Sequence, residues 1–234
     1  MSDECGMMSA GVRRWVVREL TGTAMAGALL VATSGRWNWA MAWALVGVYA
    51  VTFIAQLVLL LPRDPGLLAE RASRMGANTK PWDRVLLPLY GLSTLALLVI
   101  AGLDMRFDWS GRLPPWLQFV GLGLALAGNG LVTWSMVANP FFAFSVRLQQ
   151  ERGQTVATGG PYSVVRHPGY VGAILFALGT ALLLGSPWSL VPAFASVGLL
   201  AVRTGLEDRT LRAELEGYAD YTRRTKYRLL PGVW

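Results

Sequence analysis

Four long apolar runs, separated by short polar stretches, constrain this chain more than any other feature of its sequence. They cover residues 16–33, 39–61, 84–103 and 116–138. Each approaches the ~20 apolar residues that a helix needs to cross a bilayer. Only 15% of the residues are charged, against about 25% in a soluble domain. The runs lack the period-two alternation of barrel strands, so the sequence predicts an all-α integral membrane protein.

Two shorter apolar segments follow, at 170–184 and 188–202, with a tight turn at 185–187 between them. Each has about 15 residues, short of the ~20 needed to cross a bilayer unaided. They predict a helical hairpin that is tilted or reaches only partway. The expected fold is therefore four transmembrane helices plus a hairpin in the C-terminal half. This makes five to six membrane segments in a single integrated domain.

The two ends of the chain are polar. Residues 1–11 are expected to form a short disordered tail, since they lack the basic region and cleavage site of a secretory signal. Residues 203–234 are expected to be helical to about Arg224, with Tyr218 and Tyr221 on one side of the helix.

The polar loop 62–83 and the fourth apolar run carry local predictions. Apolar residues in 66–75 have helical spacing, which predicts a short amphipathic helix lying on the membrane surface. Asp83 is expected to cap the third membrane helix. The fourth run contains two pairs of small residues at a spacing that lets helices approach closely in lipid: Gly121/Ala125 and Gly123/Ala127.

The placement of lysine and arginine predicts the topology. With the N-terminus, loop 62–84, the stretch 139–170 and the C-terminal tail on one side, that side holds 18 of the 21 basic residues. Arg36, Arg106 and Arg112 lie on the other side. The basic side is predicted to be cytoplasmic. This asymmetry accounts for the net charge of +7. The sequence shows no face that combines aromatic and basic residues, so it does not predict a nucleic-acid partner.

The stretch 139–170 is polar and rich in turns, and it lies between apolar segments. It holds the only histidine, His167, within the run Arg166-His167-Pro168-Gly169-Tyr170. Ionisable groups at such a place in a membrane protein indicate a functional site. Pro168 keeps His167 out of the helical region, at the mouth of the hairpin. From residue types alone, a structural role is slightly favoured, with Arg166 and His167 anchoring the hairpin at the headgroups.

The inventory of possible ligands predicts no metal site. The chain has one cysteine, Cys5, and one histidine, His167, without a clear partner in the sequence. A single histidine of this kind is poor evidence for a metal or for a nucleophilic triad.

A second polar group follows the hairpin, where Arg203, Glu207 and Asp208 interrupt the apolar sequence. Arg203 and Glu207 are four residues apart and share one helix face. Taken alone, they are most simply an ordinary ion pair at a helix end, beside the membrane surface.

The order and spacing of these groups together resemble the isoprenylcysteine carboxyl methyltransferase family, whose wider group includes phospholipid N-methyltransferases. The resemblance covers roughly the last 95 residues, and the loop with Lys80-Pro81-Trp82-Asp83 resembles that of bacterial members. The residues that carry it are, in order, Asn139, Gln149, Thr158-Gly159-Gly160-Pro161-Tyr162, Arg166-His167-Pro168 with Tyr170, Arg203 with Glu207-Asp208 and Leu211, Tyr218, Tyr221 and Pro231.

The resemblance implies a membrane methyltransferase that uses S-adenosyl-L-methionine. Residues 1–138 would form the tail and first four helices, and residues 139–234 the cofactor-binding and catalytic region. It implies catalytic roles for Arg203, His167 and Arg166, and places Arg203 and Asn139 toward the substrate. The implied cofactor positions are Gln149, Gln154, Thr155, Val156, Ala157, Tyr162, His167, Pro168, Gly169, Tyr170 and Glu207. Gln154 departs from the family, which often has histidine there, but glutamine also donates and accepts hydrogen bonds.

The resemblance implies that the methyl acceptor is a carboxylate, with an amine or a thiol as the alternative. The molecule that carries it is either a lipophilic small molecule or a prenylated protein. A carboxylate is ionised at neutral pH and needs no base, whereas an amine or thiol must lose a proton, for which His167 is the available group. Two other interpretations stay open: an NADPH-dependent membrane reductase of the sterol-reductase type, and a non-catalytic membrane protein. Residue usage suggests a bacterial inner membrane, with both termini and the site cytoplasmic.

Overall fold

The computed structural model describes residues 2–72, 75, 78–111 and 113–234, with side chains from residue 10 onward. No strand occurs in these ranges, and the chain folds into eight α-helices there. They are α1 Ser2–Ser34, α2 Ala40–Leu60, α3 Pro65–Ala72, α4 Asp83–Phe107, α5 Pro115–Ala138, α6 Pro168–Leu183, α7 Leu190–Glu214 and α8 Tyr218–Arg224.

Five of the helices are long and apolar enough to cross a membrane, which confirms the predicted helical membrane fold. They are Ala10–Ser34 within α1, then α2, α4, α5 and α7. The expectation of a disordered tail at 1–11 is wrong, because α1 already begins at Ser2. Residues of high helix propensity, such as Met7, Met8 and Ala10, continue the helix through this polar segment.

The hairpin differs from its prediction in the second helix. α6 has 16 residues, as expected for a short segment, but α7 has 25 and runs without a break from the apolar 190–202 into the polar 203–214. The charged residues after Val202 therefore lie on the last turns of a spanning helix. The polar tail is helical to Arg224 as predicted, but Gly217, in a left-handed conformation, separates α7 from α8.

The closest helix packing joins α5 to α6 through glycine. A methyl group added at Gly128 would lie 2.5 Å from the carbonyl oxygen of Gly172, and one at Gly179 would lie 2.6 Å from the Ala125 nitrogen. The predicted pair Gly121/Ala125 is buried in this contact. Gly123 and Ala127 are exposed instead, so their spacing does not mark a contact.

The amphipathic helix predicted within 66–75 is present as α3, but its apolar side faces protein. Leu67 and Leu68 are fully buried against Trp15 of α1 and Met136 of α5. The helical spacing in this loop therefore reflects packing on the helix bundle. α3 lies against α1 and covers one side of the region where the polar site forms.

The prediction that Asp83 caps α4 is wrong. Asp83 is the first residue of the helix, and Trp82 occupies the cap position. The Asp83 carboxylate instead accepts hydrogen bonds from the Val146 backbone and from Arg203 of α7. A contact 120 residues away in sequence has displaced the local capping role.

One end of the bundle gathers the starts of α4 and α6 and the last turns of α5 and α7. The loop 139–159 crosses this end. The opposite end holds the α6–α7 turn, where Ser186 donates to the Asp104 carboxylate at 2.5 Å. Arg36 and Arg106 belong to that opposite end, as the charge pattern predicted, whereas Arg112 lies outside the described residues.

Candidate active site

A cavity of about 1270 Å³, part of it open to solvent, lies where the loop 139–159 meets the ends of α4 to α7. The structure brings nearly all of the predicted site residues to its walls, and only Gln149 and Pro168 of that set lie outside the lining. The predicted residues that line it are Asn139, Gln154, Thr155, Val156, Ala157, Tyr162, Arg166, His167, Gly169, Tyr170, Arg203 and Glu207.

The walls of the cavity belong to two apolar clusters. At one end, Val132 and Phe142 pack against the buried group around Trp15, Leu67 and Met136. At the other end, Val156 and Ala157 pack against three tyrosines of the C-terminal region. The cavity therefore connects a tyrosine-lined end with an aliphatic and aromatic end between the helices.

Arg166 is buried and binds Asp208 of α7 through two parallel hydrogen bonds, of 2.7 and 3.1 Å. Its remaining terminal nitrogen donates to the carbonyl oxygens of Thr225 and Lys226, at 2.9 and 2.6 Å. The fork geometry of arginine suits such a bidentate contact. Arg166 thus ties the loop before α6 to both α7 and the C-terminal segment.

Asp208 is fully buried and is the centre of this polar network. Besides Arg166 it accepts from Arg228 at 3.0 Å and from the Tyr218 hydroxyl at 3.1 Å. The backbone supports the same arrangement, because the Arg166 and His167 N–H groups donate to the carbonyl oxygens of Tyr227 and Arg228. These donors compensate the free-energy cost of burying the Asp208 carboxylate.

His167 has a carboxylate neighbour that the sequence did not reveal. Its Nε2 lies 3.5 Å from an oxygen of Asp208 and 3.4 Å from the Tyr218 hydroxyl. The imidazole ring stacks on Tyr170, with ring centroids 5.8 Å apart. His167 is therefore held in one orientation at the cavity wall.

Three tyrosines close the tyrosine-lined end. Burial raises the pKa of Tyr162 and Tyr218, and it raises the pKa of Tyr221 to about 12. All three hydroxyls are therefore protonated and neutral at physiological pH. Tyr221 donates to the Tyr162 carbonyl oxygen at 2.6 Å, which fixes α8 against the turn before Arg166.

The loop 149–157 shapes the cavity through its own side chains. Gln149 is buried and points into the loop, where it donates to the Phe141 carbonyl oxygen at 2.8 Å and accepts from Arg152 at 2.6 Å. Gln154 lines the cavity and accepts from the Gln149 backbone N–H at 2.7 Å. This contact holds the extended segment 154–157 along the wall.

Arg203 lines the cavity, but its charge is already paired. Its Nε and Nη2 donate to the two oxygens of Asp83 at 2.7 and 2.9 Å, and Nη2 also donates to the Phe144 carbonyl oxygen. The expected local pair of Arg203 with Glu207 is replaced by this contact between α7 and α4. Glu207 accepts instead from the Tyr170 hydroxyl.

Asn139 ends α5 and orients the first residues of the loop. Its side-chain oxygen accepts from the Phe141 N–H at 2.9 Å, and its amide donates to the Tyr162 hydroxyl at 3.3 Å. Asn139 thereby connects the end of α5 to the turn that precedes Arg166.

Sequence reasoning missed Asp83, Arg228 and the central place of Asp208. The adjacency of Glu207 and Asp208 was the one available signal, because two neighbouring acids at a helix end point to different faces. Asp83 and Arg228 reach the site from distant parts of the chain, which no local pattern indicates.

Residues 116–214 match the family described as phospholipid methyltransferase. The resemblance to membrane methyltransferases is confirmed. The matching region begins in α5 and ends with the last residue of α7. It therefore contains the loop over the cavity, the Arg166-His167-Pro168 motif and the acids of α7, whereas α1 to α4 lie outside it.

The proteins that are similar to this chain include isoprenylcysteine O-methyltransferases and a metal-resistance protein. Protein-S-isoprenylcysteine O-methyltransferase of Xenopus laevis is 38% identical over 77 residues, 32% of this chain and 27% of that protein. Protein-S-isoprenylcysteine O-methyltransferase B of Arabidopsis thaliana is 28% identical over 113 residues, 47% of this chain and 57% of that protein. The cobalt-zinc-cadmium resistance protein CzcN of Cupriavidus metallidurans is 32% identical over 120 residues, 50% of this chain and 51% of that protein. The chain spans between about a quarter and just over half of these relatives' lengths.

Proposed function

We propose that this protein is a membrane methyltransferase that uses S-adenosyl-L-methionine and methylates the carboxylate of a lipophilic acceptor. The observation that carries the proposal is a continuous cavity, which joins the loop 154–157 and the Arg166-His167-Pro168 motif to an apolar end between the helices. A polar cofactor and an apolar acceptor need such neighbouring environments. The similarity to isoprenylcysteine O-methyltransferases supports the same reaction.

The residues at the tyrosine-lined end fit the cofactor. The segment 154–157 offers backbone donors and acceptors, and Gln154 adds a side-chain amide. Glu207 supplies a carboxylate for an ammonium or ribose group, and the rings of Tyr162 and Tyr170 suit a cationic neighbour. Among the predicted positions, Gln149 and Pro168 would act indirectly, by shaping the loop and starting α6.

When bound, S-adenosyl-L-methionine supplies a sulfonium methyl group, which an acceptor atom takes in line as the carbon–sulfur bond breaks and its electron pair returns to sulfur. The residues of this chain contribute position and dehydration. Arg166 and Asp208 fix the motif before α6, and His167 and Tyr170 form a flat wall at the cavity. A carboxylate acceptor requires no proton transfer, so no general base is needed.

The apolar end favours a lipophilic acceptor that enters from the bilayer. Leu87 and Tyr90 of α4, Val132 of α5 and Leu200 of α7 line the cavity, and Val132 packs in the cluster at its apolar end. A prenylated carboxylate has the required combination of an apolar body and an anionic end. For an amine or thiol acceptor, His167 is the group placed to accept the proton, through its contacts with Asp208 and Tyr218.

The orientation follows from the charge distribution. The end of the bundle that carries the cavity also carries most of the lysine and arginine residues, including Arg13, Arg14, Arg147 and the basic residues of α8. We place this end, and both termini, in the cytoplasm of a bacterial cell with the bundle in the inner membrane. The cofactor then enters from the compartment in which it is made.

A methyl-transfer assay tests the proposal. Purified protein would be incubated with S-adenosyl-L-methionine labelled in the methyl group and with S-farnesylthioacetate, a prenyl thioether carboxylate. The expected product is a farnesylated methyl ester that releases labelled methanol on treatment with base. In parallel reactions with a lipophilic amine and a lipophilic thiol, label that stays in the lipid after base would indicate N- or S-methylation. No transfer to any of the three acceptors would contradict the proposal.

A further inference from the structure

Arg71, in the last turn of α3, lines the apolar end of the cavity. Its guanidinium carbon lies 5.2 Å from the centre of the Phe142 ring. Its Nε is shielded from solvent and has no hydrogen-bond partner among the described residues. A buried donor without a partner costs free energy. This position therefore suits a ligand that accepts a hydrogen bond from the Arg71 side chain.

The charges around Arg71 leave it as a surplus cation. Three described arginines that lie near Arg71 or line the same cavity each form an ion pair with a carboxylate: Arg18 with Glu19, Arg203 with Asp83, and Arg147 with Glu70. For Arg71 the structure shows no carboxylate within 4.0 Å in the described part of the chain. Burial, together with the nearby charge of Arg18, lowers the pKa of Arg71 to about 10. The side chain is still a cation at neutral pH.

Arg203, which the family resemblance places toward the substrate, is less suited to attract an anion. Two of its nitrogens already bind Asp83, and one of these also binds the Phe144 carbonyl oxygen. A neutral buried pair exerts a weaker field on a second carboxylate than an uncompensated cation does. The attraction at the apolar end therefore comes from Arg71.

Arg71 packs in a different apolar cluster from Val156 and Tyr162, two of the implied cofactor residues. It stacks on Phe142, which packs with Val132 in the cluster around Trp15 and Met136. Val156 and Tyr162, on the implied cofactor side, belong to the other cluster, with Tyr218 and Tyr221. The acid at the cavity wall, Glu207, lies on α7 and contacts Tyr170. The cavity thus has a surplus cation among its apolar walls and an acid beside its tyrosine-lined end.

We propose that Arg71 binds the carboxylate of the lipophilic acceptor. The proposal rests on the methyltransferase function proposed above and assigns the anion contact to α3, outside the region that matches the family. The planar guanidinium presents two parallel donors to a carboxylate, and the leucine, valine and phenylalanine side chains beside it hold the apolar body. Arg203, with Asp83, then acts as a positioning pair that joins α4 to α7.

The test measures binding to the full-length protein in detergent with saturating S-adenosylhomocysteine. The probes are S-farnesylthioacetate, its uncharged methyl ester, and farnesyl phosphate. The wild type is expected to bind the acid about tenfold or more tightly than the ester, because a charged hydrogen-bonded contact is lost with the ester. The acid is expected to bind more tightly than the phosphate.

Arg71→Gln is expected to weaken the binding of the acid by about tenfold or more. Its affinities for the ester and for S-adenosylhomocysteine are expected to stay within about twofold of the wild type. Arg71→Lys is expected to retain part of the preference for the acid, since it keeps the charge and loses the fork. Arg63→Gln is the matched control, because Arg63 is exposed and donates to the Leu59 carbonyl oxygen. It is expected to leave all three affinities unchanged.

Each contrary outcome is distinct. Equal binding of acid and ester by the wild type overturns this inference while the methyltransferase proposal stands. Failure of S-adenosylhomocysteine to bind the wild type overturns the methyltransferase proposal itself. If the Arg71→Gln variant folds but no longer binds S-adenosylhomocysteine, Arg71 binds the cofactor carboxylate instead. If the wild type prefers the phosphate and Arg71→Gln loses that preference, the site binds phosphates. If Arg71→Gln does not fold, an undiminished acid-to-ester ratio in Arg71→Lys contradicts the two-point contact.

Discussion

At the scale of single residues, Asp208 is the group on which the polar contacts of the site converge. It receives hydrogen bonds from Arg166, Arg228 and Tyr218 and has no exposed surface. Removing its charge leaves the buried guanidinium of Arg166 without a counter-ion. The residue therefore determines both the stability of the C-terminal region and the orientation of the motif before α6.

We expect Asp208→Asn to lower the free energy of unfolding by about 3–5 kcal/mol, the usual effect of breaking a buried ion pair from one side. Denaturant titration in detergent measures the change. Asp220→Asn is the control, because Asp220 and its partner Arg223 are exposed, and such pairs contribute at most about 1 kcal/mol. Equal stability of the two variants would show that Asp208 is not the centre of the network.

Glu207 belongs to the proposed cofactor side, next to Tyr170. We expect Glu207→Gln to weaken S-adenosylhomocysteine binding by about 1.5–3 kcal/mol, or roughly 10- to 150-fold, because a charged hydrogen-bonded contact is lost. Glu216→Gln, on the exposed segment between α7 and α8, is expected to bind like the wild type. Unchanged affinity in Glu207→Gln would remove Glu207 from the cofactor site.

At the scale of elements, glycine decides how closely α5 and α6 approach. A methyl group at Gly121 would lie 2.7 Å from the Gly179 carbonyl oxygen, whereas one at Gly123 would meet nothing within 4 Å. The two positions are one helical half-turn apart, so they offer a matched pair. Their difference measures packing alone, since both replace glycine in the same helix.

We expect Gly121→Ala to destabilise the protein by about 1–3 kcal/mol, the usual cost of overpacking a tight contact. Gly123→Ala is expected to be neutral or stabilising by up to about 1 kcal/mol, because alanine has the higher helix propensity. Thermal unfolding of both variants in the same detergent tests this pair. If Gly123→Ala destabilised the protein to the same extent, the α5–α6 contact would not be confined to the face of α5 that carries Gly121.

The elements also show where sequence reasoning was sufficient. The apolar runs predicted α2, α4 and α5 to within a few residues, because crossing a membrane requires a minimum length of apolar helix. The same rule made the second hairpin segment appear short, because the apolar run ends at Val202, before the charged Arg203. The structure continues α7 to Glu214, and tertiary partners such as Asp83 for Arg203 and Arg166 for Asp208 compensate the charges there.

The candidate site was predictable only in part for the same reason. The family resemblance identified twelve of the residues that line the cavity, which lie on one continuous stretch and one helix. Arg71 and Asp83 come from the first half of the chain, and their place at the site depends on how α3 and α4 pack. A periodic pattern predicts which face of α3 is apolar, but not which neighbour covers that face.

At the scale of the whole molecule, the proposed methyltransferase function requires a cavity that opens toward the cytoplasm. We expect a Ser163→Cys variant to be protected from a membrane-impermeant maleimide in intact cells and an Asn38→Cys variant to be labelled, with Cys5 replaced by serine in both. Both positions are exposed, on opposite ends of the bundle. Labelling of Ser163→Cys with protection of Asn38→Cys would invert the topology.

The central claim is that the cavity binds the methyl-donor cofactor, and calorimetric titration tests it most directly. S-adenosylhomocysteine would be titrated into the purified protein, with NADPH titrated in parallel because a membrane reductase is the alternative enzyme class. We expect saturable binding of S-adenosylhomocysteine at one site and no binding of NADPH. Binding of NADPH alone, or of neither compound, would contradict it.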